Sequence, residues 1–472
     1  MKTVHSLPAP LSRFRLPPQP GLLEQIIDKG MRARQRRSRL VSQQGASLSA
    51  LKVMDTQVEQ CVLALSLDRS EADRLLQARI EDARLKGAAA LSVWVFLRCA
   101  LAVQCQVTEL PSWFDACLAE HPEQARDALL FFPATANLLE ERSQHILPLL
   151  RRQTSATVSV LLELVGRLSV HEARPHLLNI QRGARQMPSV HLALLRLGVF
   201  NTHSEAFVRQ TLAHAPVDLQ VLALQLVAMS GWRKLYPLGR PLLRSPHAPL
   251  QSLAWALHAL DQPMQAADSA LALGFAPDAE GPQASASGRL PEALWWRVLA
   301  LCGHLKALMA ACKHLASQEG PMTEPQTDFL RLALGRVPPA LCQKPSLPGP
   351  KQQALRELVL HCFRQAFVPL QNGADTAPWA LAAWASDPEQ AANVRLRLGR
   401  SLGHQRQAQG FPAVLPELSQ PLRQWLYFER AHATQCAYAM DAGEVARRQY
   451  DAAMLVELVA ELEVTESANG PH

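Results

Sequence analysis

Apolar residues recur at helical spacing along most of the chain, and from Val158 to Leu315 the recurrence itself has a period. Each apolar run is broken by a small or polar residue. The breaks align as Leu164-Val165-Gly166, Arg196-Leu197-Gly198, Met229-Ser230-Gly231, Ala259-Leu260-Asp261 and Leu301-Cys302-Gly303. They are 32, 33, 30 and 42 residues apart. A period of this length predicts stacked helix pairs, in which no unit hides its apolar face alone. The predicted fold is therefore all-α: an α-solenoid of HEAT-like helix pairs, flanked by N- and C-terminal helical regions without the repeat.

In each unit an apolar helix comes first: Val158–Leu168, Ser189–Leu197, Leu219–Met229, Leu250–Leu260 and Pro291–Leu301. A turn follows, often with glycine at the left-handed helix end. A second helix then returns, as in Ala206–Leu212 or Met264–Leu273. Ordering a residue's backbone costs about 1–2 kcal/mol. A buried leucine returns about 1.5–3 kcal/mol, so an isolated unit of about thirty residues does not stand by itself. A truncation through the middle is expected to aggregate.

The flanks divide the rest. Residues 1–20 are proline-broken, and from Gly21 the run LLEQIIDKGMRARQRRSRL reads as a helix. Lys29, Arg32, Arg36 and Arg39 share one face of it, with Arg34 and Arg37 to the sides. Residues 1–45 thus form a basic arm and helix, and 46–147 a helical region without the repeat. In that region Leu48, Leu51, Met54, Asp55 and Val58 follow helical spacing, and Ser70 with Asp73 reads as a helix start. The apolar Gly87–Val103 contains Arg98 and is about one turn short of a bilayer span, so it reads as a core helix.

The solenoid is assigned to 148–337, with a polar loop at Ala276–Gly288. A proline-rich linker spans 338–350 and a C-terminal helical region 351–472. In the last region Gln352–Phe367, Arg423–Met440 and Val445–Leu462 read as helices. The stretch 371–420, with Trp379, Trp384 and an alternating run at Val394–Leu398, is less regular.

Composition supports the helical reading, since only 4 of 472 residues are tyrosine and strong helix formers dominate. The 9 cysteines are odd in number and form no CxxC, which points to a reducing, cytoplasmic setting without disulfides. The N-terminus lacks the apolar core of a secretory signal. Of the net +7, residues 1–45 carry +7, 46–147 carry −5, 148–315 carry +7 and 316–472 carry −2. An electrostatically steered partner is expected to be acidic. A protein is the first reading and nucleic acid the second.

Candidate chemistry is sparse. Gly399-Arg400-Ser401-Leu402-Gly403 fits the GxSxG pattern, yet a nucleophile elbow needs a strand-to-helix turn in a parallel sheet. Nothing upstream alternates strand and helix to build one, so a serine hydrolase using Ser401 ranks third. His171-Glu172 and His176 are spaced five apart with Pro175 between, on different helix faces, and are not expected to bind zinc. Cys302, His304, Cys312 and His314 are metal-capable, but residues two apart on a helix diverge. No cofactor, metal or catalytic residue is assigned. Aromatic–cation groupings at unit turns mark a candidate binding surface instead: Trp232, Arg233, Lys234 and Tyr236, and Trp295, Trp296 and Arg297. Two adjacent tryptophans on one helix are not expected to enter the same core.

Leu22-Leu23-Glu24-Gln25, the set Leu48, Leu51, Asp55, Val58 and Glu59, the HEAT-like units, and Arg395–Gly403 followed by Arg423–Ala431 carry a resemblance. In outline the chain resembles bacterial HEAT-repeat-type proteins often encoded beside type VI secretion genes. The first helix is more basic than that family's. The resemblance implies a non-enzymatic scaffold or adaptor linked to secretion, with no catalytic residues to transfer. The nucleic-acid alternative is a HEAT-like scaffold or DNA-repair glycosylase.

Overall fold

The computed structural model describes residues 20–42, 46–87, 90–105, 120–131, 155–183, 187–276, 288–304, 307–308, 310–311, 314–315, 322–334, 337, 396–397, 400–401, 415–446 and 448–451. These are overwhelmingly helical, and the all-α class is correct. The loop insert, the proline-rich linker, Gln352–Phe367, Trp379, Trp384 and most of Val445–Leu462 lie outside the described residues. The chain divides into two compact units: residues 1–42 with 50–180, and residues 43–49 with 181–472.

The first unit contains α1 (Pro20–Ser42), α2 (Leu48–Leu65, from Ala50 on), α3 (Arg69–Lys86), α4 (Leu91–Gln104), α5 (Pro122–Phe131), α6 (Ser155–Arg167) and most of α7 (Arg174–Arg182). Leu23, Ile27, Gly30, Ala33 and Arg37 follow helical spacing and form the buried stripe of α1. Gly30 permits a close crossing, since a Cβ there would stand 3.3 Å from Cys61 Cβ and 3.4 Å from Leu97 Cδ2. On α2, Leu51, Asp55, Val58, Val62 and Leu65 are buried in register.

The start of α3 differs from expectation. Asp68, not Ser70, caps it, and its carboxylate accepts the Glu71 N–H. The acidic side chain just outside the first turn meets the free amides there. The apolar α4 is a core helix, with Arg98 turned out to Asp73 on α3 at 2.8 Å. Among the described residues no helix is long and apolar enough to cross a membrane.

The second unit contains α8 (Pro188–Arg196), α9 (Thr202–His214), α10 (Val217–Ser230), a 3-10 stretch (Arg233–Leu242), α11 (Ala248–Asp261), α12 (Pro263–Leu273), α13 (Glu292–Cys302), α14 (Glu324–Leu334) and α15 (Gln420–Thr434). Helices α8, α10, α11, α13 and α14 pack in succession, each on the next. The intervening elements pack against this succession: α9 on α10, the 3-10 stretch on α11, and α12 on α11 and α13. Pro237 and Pro241 explain why one return segment is 3-10 rather than α, because each removes a backbone donor.

Three of the five aligned breaks hold a left-handed glycine after a helix: Gly198 (φ 76°), Gly231 (φ 71°) and Gly303 (φ 60°). The other two do not. Gly166 lies inside α6 and Ser169 (φ 55°) takes the left-handed role, while Asp261 ends α11 ahead of Gln262.

Helix α15 lies across α10, α11 and α13. Consequently α11, α13 and the second half of α10 are apolar and buried nearly all round, with neighbours in the succession, the intervening segments and α15 as covers. Among the described residues strands are confined to Phe275–Ala276 with Leu290–Pro291, paired parallel, and Leu396–Arg397 with Arg400–Ser401, paired antiparallel.

Candidate interaction surfaces

The cations of α1 separate into two groups by position on the helix. Arg37 lies seven residues after Gly30 and continues the buried stripe, where it pairs with the buried Asp55 of α2. Arg34 pairs with Asp127 of α5, and its guanidinium stands 4.1 Å over the Phe96 ring of α4. Burial lowers the Arg34 pKa, and Asp127 opposes that shift. Lys29, Arg32, Arg36 and Arg39 are all exposed on the opposite side. Among the described residues none of the four pairs with a carboxylate, and Arg32 Nε donates only to Asp28 O on its own helix, at 3.3 Å. The face expected from spacing is exposed to solvent.

In the Trp232 grouping only Tyr236 is buried, while Arg233 and Lys234 are exposed. The half-buried Trp232 meets the Phe200 ring edge-on at 4.7 Å, and Lys234 Nζ sits 4.7 Å from its centroid. Lys234 also donates to Glu205 at 2.6 Å, and Arg209 reaches the other oxygen of the same carboxylate at 3.0 Å. Those two hydrogen bonds, Lys234's first, lower the Glu205 pKa. Arg233 donates to His432 O at 3.2 Å, in the last turn of α15 at the negative end of its dipole. Tyr236 is buried, its ring 5.4 Å from that of His432, and burial raises its pKa. These four residues hold α15 and the return segments in place.

Trp295 and Trp296 correct the expectation that one of them faces a partner. They are 4% and 0% exposed. Trp295 turns toward α12 and donates from Nε1 to Ala270 O at 2.9 Å. Trp296 turns toward α14, 5.2 Å from the Phe329 ring, and donates to Glu292 Oε1 at 3.1 Å. Adjacent side chains about 100° apart enter two packing interfaces of one enclosed helix. Arg297 is half-buried, its pKa lowered by burial against the opposing pull of Asp328 and Glu324.

The remaining motifs take structural places. Ser401 belongs to a two-residue antiparallel pair, and the rest of its motif except Arg400 lies outside the described residues. His171–Ala173 is a 3-10 turn, and Pro175 stands in the first turn of α7, where its missing N–H costs nothing. Cys312 lies outside the described residues, and the His314 ring packs 4.9 Å from Phe275 and 6.1 Å from Trp295. Among the described residues no group of three or more metal-capable side chains converges.

Sequence reasoning missed two residues of consequence. Arg423 is fully buried, and its guanidinium donates to Ala46 O at 2.8 Å, Leu418 O at 2.5 Å and Ala442 O at 3.2 Å. Asp328 of α14 accepts the Ser419 N–H at 3.0 Å just before α15 begins, and burial raises its pKa. No local signal distinguishes either from a surface charge. Compared with known proteins, the chain matches no family model, no curated protein and no solved structure.

Proposed function

We propose that the chain is a non-enzymatic scaffold, its second unit a short HEAT-like solenoid, that binds a protein partner with an acidic surface. The observation that carries this reading is the succession α8, α10, α11, α13, α14, each packed on the next with the intervening segments against it, as helix pairs sharing one interior would pack. The exposed cations of α1, which meet no carboxylate among the described residues, supply the electrostatic preference. Where α15 lies, the helix row is covered, which leaves other surfaces for a partner. A cytoplasmic link to type VI secretion belongs to the same proposal and rests on the outline resemblance described above.

The test is gel filtration of gently prepared native lysate, with cross-linking and mass spectrometry of the fraction containing the chain. A stoichiometric acidic protein travelling with it is the expected result. Elution alone at low salt, at the mass of one copy, refutes the reading.

A further inference from the structure

We propose that the solvent face of α1 is a docking seam for an acidic, amphipathic helix of a protein partner, an inference that rests on the scaffold reading and specifies its surface. The exposed residues Leu22, Gln25, Lys29, Arg32, Arg36 and Arg39 are separated by 3, 4, 3, 4 and 3 positions. Those steps average 3.4 residues, close to the 3.5 at which two helices remain in register along a shared seam. The row spans about 25 Å at 1.5 Å per residue. Its charged part is single-file, since Arg34 and Arg37, which flank it, are turned inward to Asp127 and Asp55.

The four outer cations have no carboxylate among the described residues, so a partner's carboxylates would meet charges not already engaged. Leu22, 50% exposed, begins the row and gives an incoming helix an apolar contact. A phosphate backbone fits less well. It curves away from a straight row, the flanking cations that would reach across a groove are withdrawn, and Leu22 has no counterpart on it. An acidic helix with glutamates spaced 3 and 4 apart and a leucine at one end complements the whole row.

The experiment uses the full chain and three fluorescent probes in anisotropy titrations. The first is a helix-favouring peptide with glutamates at 3-4-3 spacing and a terminal leucine. The second is a peptide of the same composition with its glutamates distributed around the helix, and the third is a DNA duplex. The patterned peptide is expected to bind at least tenfold more tightly than its scrambled counterpart, about 1.4 kcal/mol. A variant carrying Lys29→Gln, Arg32→Gln, Arg36→Gln and Arg39→Gln, shown by circular dichroism to be folded, is expected to lose that preference. If it does not fold, the double variant Arg32→Gln, Arg36→Gln replaces it, with at least a threefold loss expected.

Equal binding of the two peptides, no binding of the patterned one, tighter binding of the duplex, or an unaffected variant each overturns the seam. The scaffold reading is judged separately. A native complex that survives in the folded variant leaves the scaffold standing without the seam, whereas wild-type chain recovered alone removes both.

Discussion

Replacing Gly231 and Gly198 by alanine separates helix capping from docking. Both glycines follow an apolar helix at a repeat break, with φ of 71° and 76°. A left-handed conformation costs an alanine about 1–2 kcal/mol. Against this, alanine restricts the unfolded chain, which returns about 0.4–1 kcal/mol. At Gly198 a new Cβ meets nothing within 4 Å, so Gly198→Ala is expected to cost the difference, roughly 1 kcal/mol.

At Gly231 the same atom would stand 2.4 Å from Ala431 O and 3.1 Å from Cys436 N. Backbone cannot rotate aside as a side chain does, so the end of α15 must move by several tenths of an ångström. That movement strains the Tyr438 N–H bond to Met229 O, now 2.8 Å, and the Arg233 bond to His432 O, now 3.2 Å. Each is worth about 0.5–1.5 kcal/mol net. Gly231→Ala is therefore expected to cost roughly 3 kcal/mol. Urea unfolding followed by circular dichroism gives the totals. Hydrogen exchange locates the damage, with the amides of Gln420–Thr434 losing protection first in the Gly231 variant alone. Equal losses at the two glycines, or unchanged exchange in α15, would refute the reasoning.

Three other outcomes follow from the same structure. Arg423→Met takes the guanidinium donor away from the carbonyls of Ala46 and Leu418 and is expected to cost about 3 kcal/mol or more in urea unfolding, with Arg423→Lys intermediate. Arg37→Met removes the guanidinium paired with the buried Asp55 carboxylate, at about 3–5 kcal/mol, whereas the double variant Arg37→Met, Asp55→Leu recovers most of the loss; equally unstable variants would contradict this. His191, 3% exposed and stacked on Phe207 at 4.2 Å, has its pKa lowered by burial to about 4 from 6.5. The unfolded chain binds the extra proton first, so this stability is complete above pH 6.5 and is lost as pH falls toward 4. It amounts to roughly 3 kcal/mol, and His191→Gln should flatten the urea midpoint across that window; an unchanged slope would count against it.

Much of the helical architecture was legible because it is local. Gly198, Gly231 and Gly303 stop helices where the breaks in apolar spacing predict, and Lys29, Arg32, Arg36 and Arg39 share the exposed face that their spacing assigns. What stayed hidden depends on distant chain. Trp295 and Trp296 read as a surface pair only while α13 is assumed to have one covered side, and α15, more than a hundred residues later, contributes to covering another. Gly198 and Gly231 are indistinguishable in sequence, because what separates them is the backbone of Ala431. Arg34 and Arg37 look like neighbours of the basic face, yet Arg37 continues the 27, 30, 33 stripe. Helical spacing alone could have placed it inside.

The Arg423 cage also sets a timetable. Ala46 O waits for a donor 377 residues further along, and Leu418 and Ala442 supply the other oxygens. At about 5–20 residues per second a ribosome needs roughly 20–75 s between them. Early helices can form as they emerge, but the second unit closes only when α15 leaves the exit tunnel. Until then the apolar row destined for α15 is bare, and a nascent chain stalled before Gln420 is the form that chaperones should be found holding.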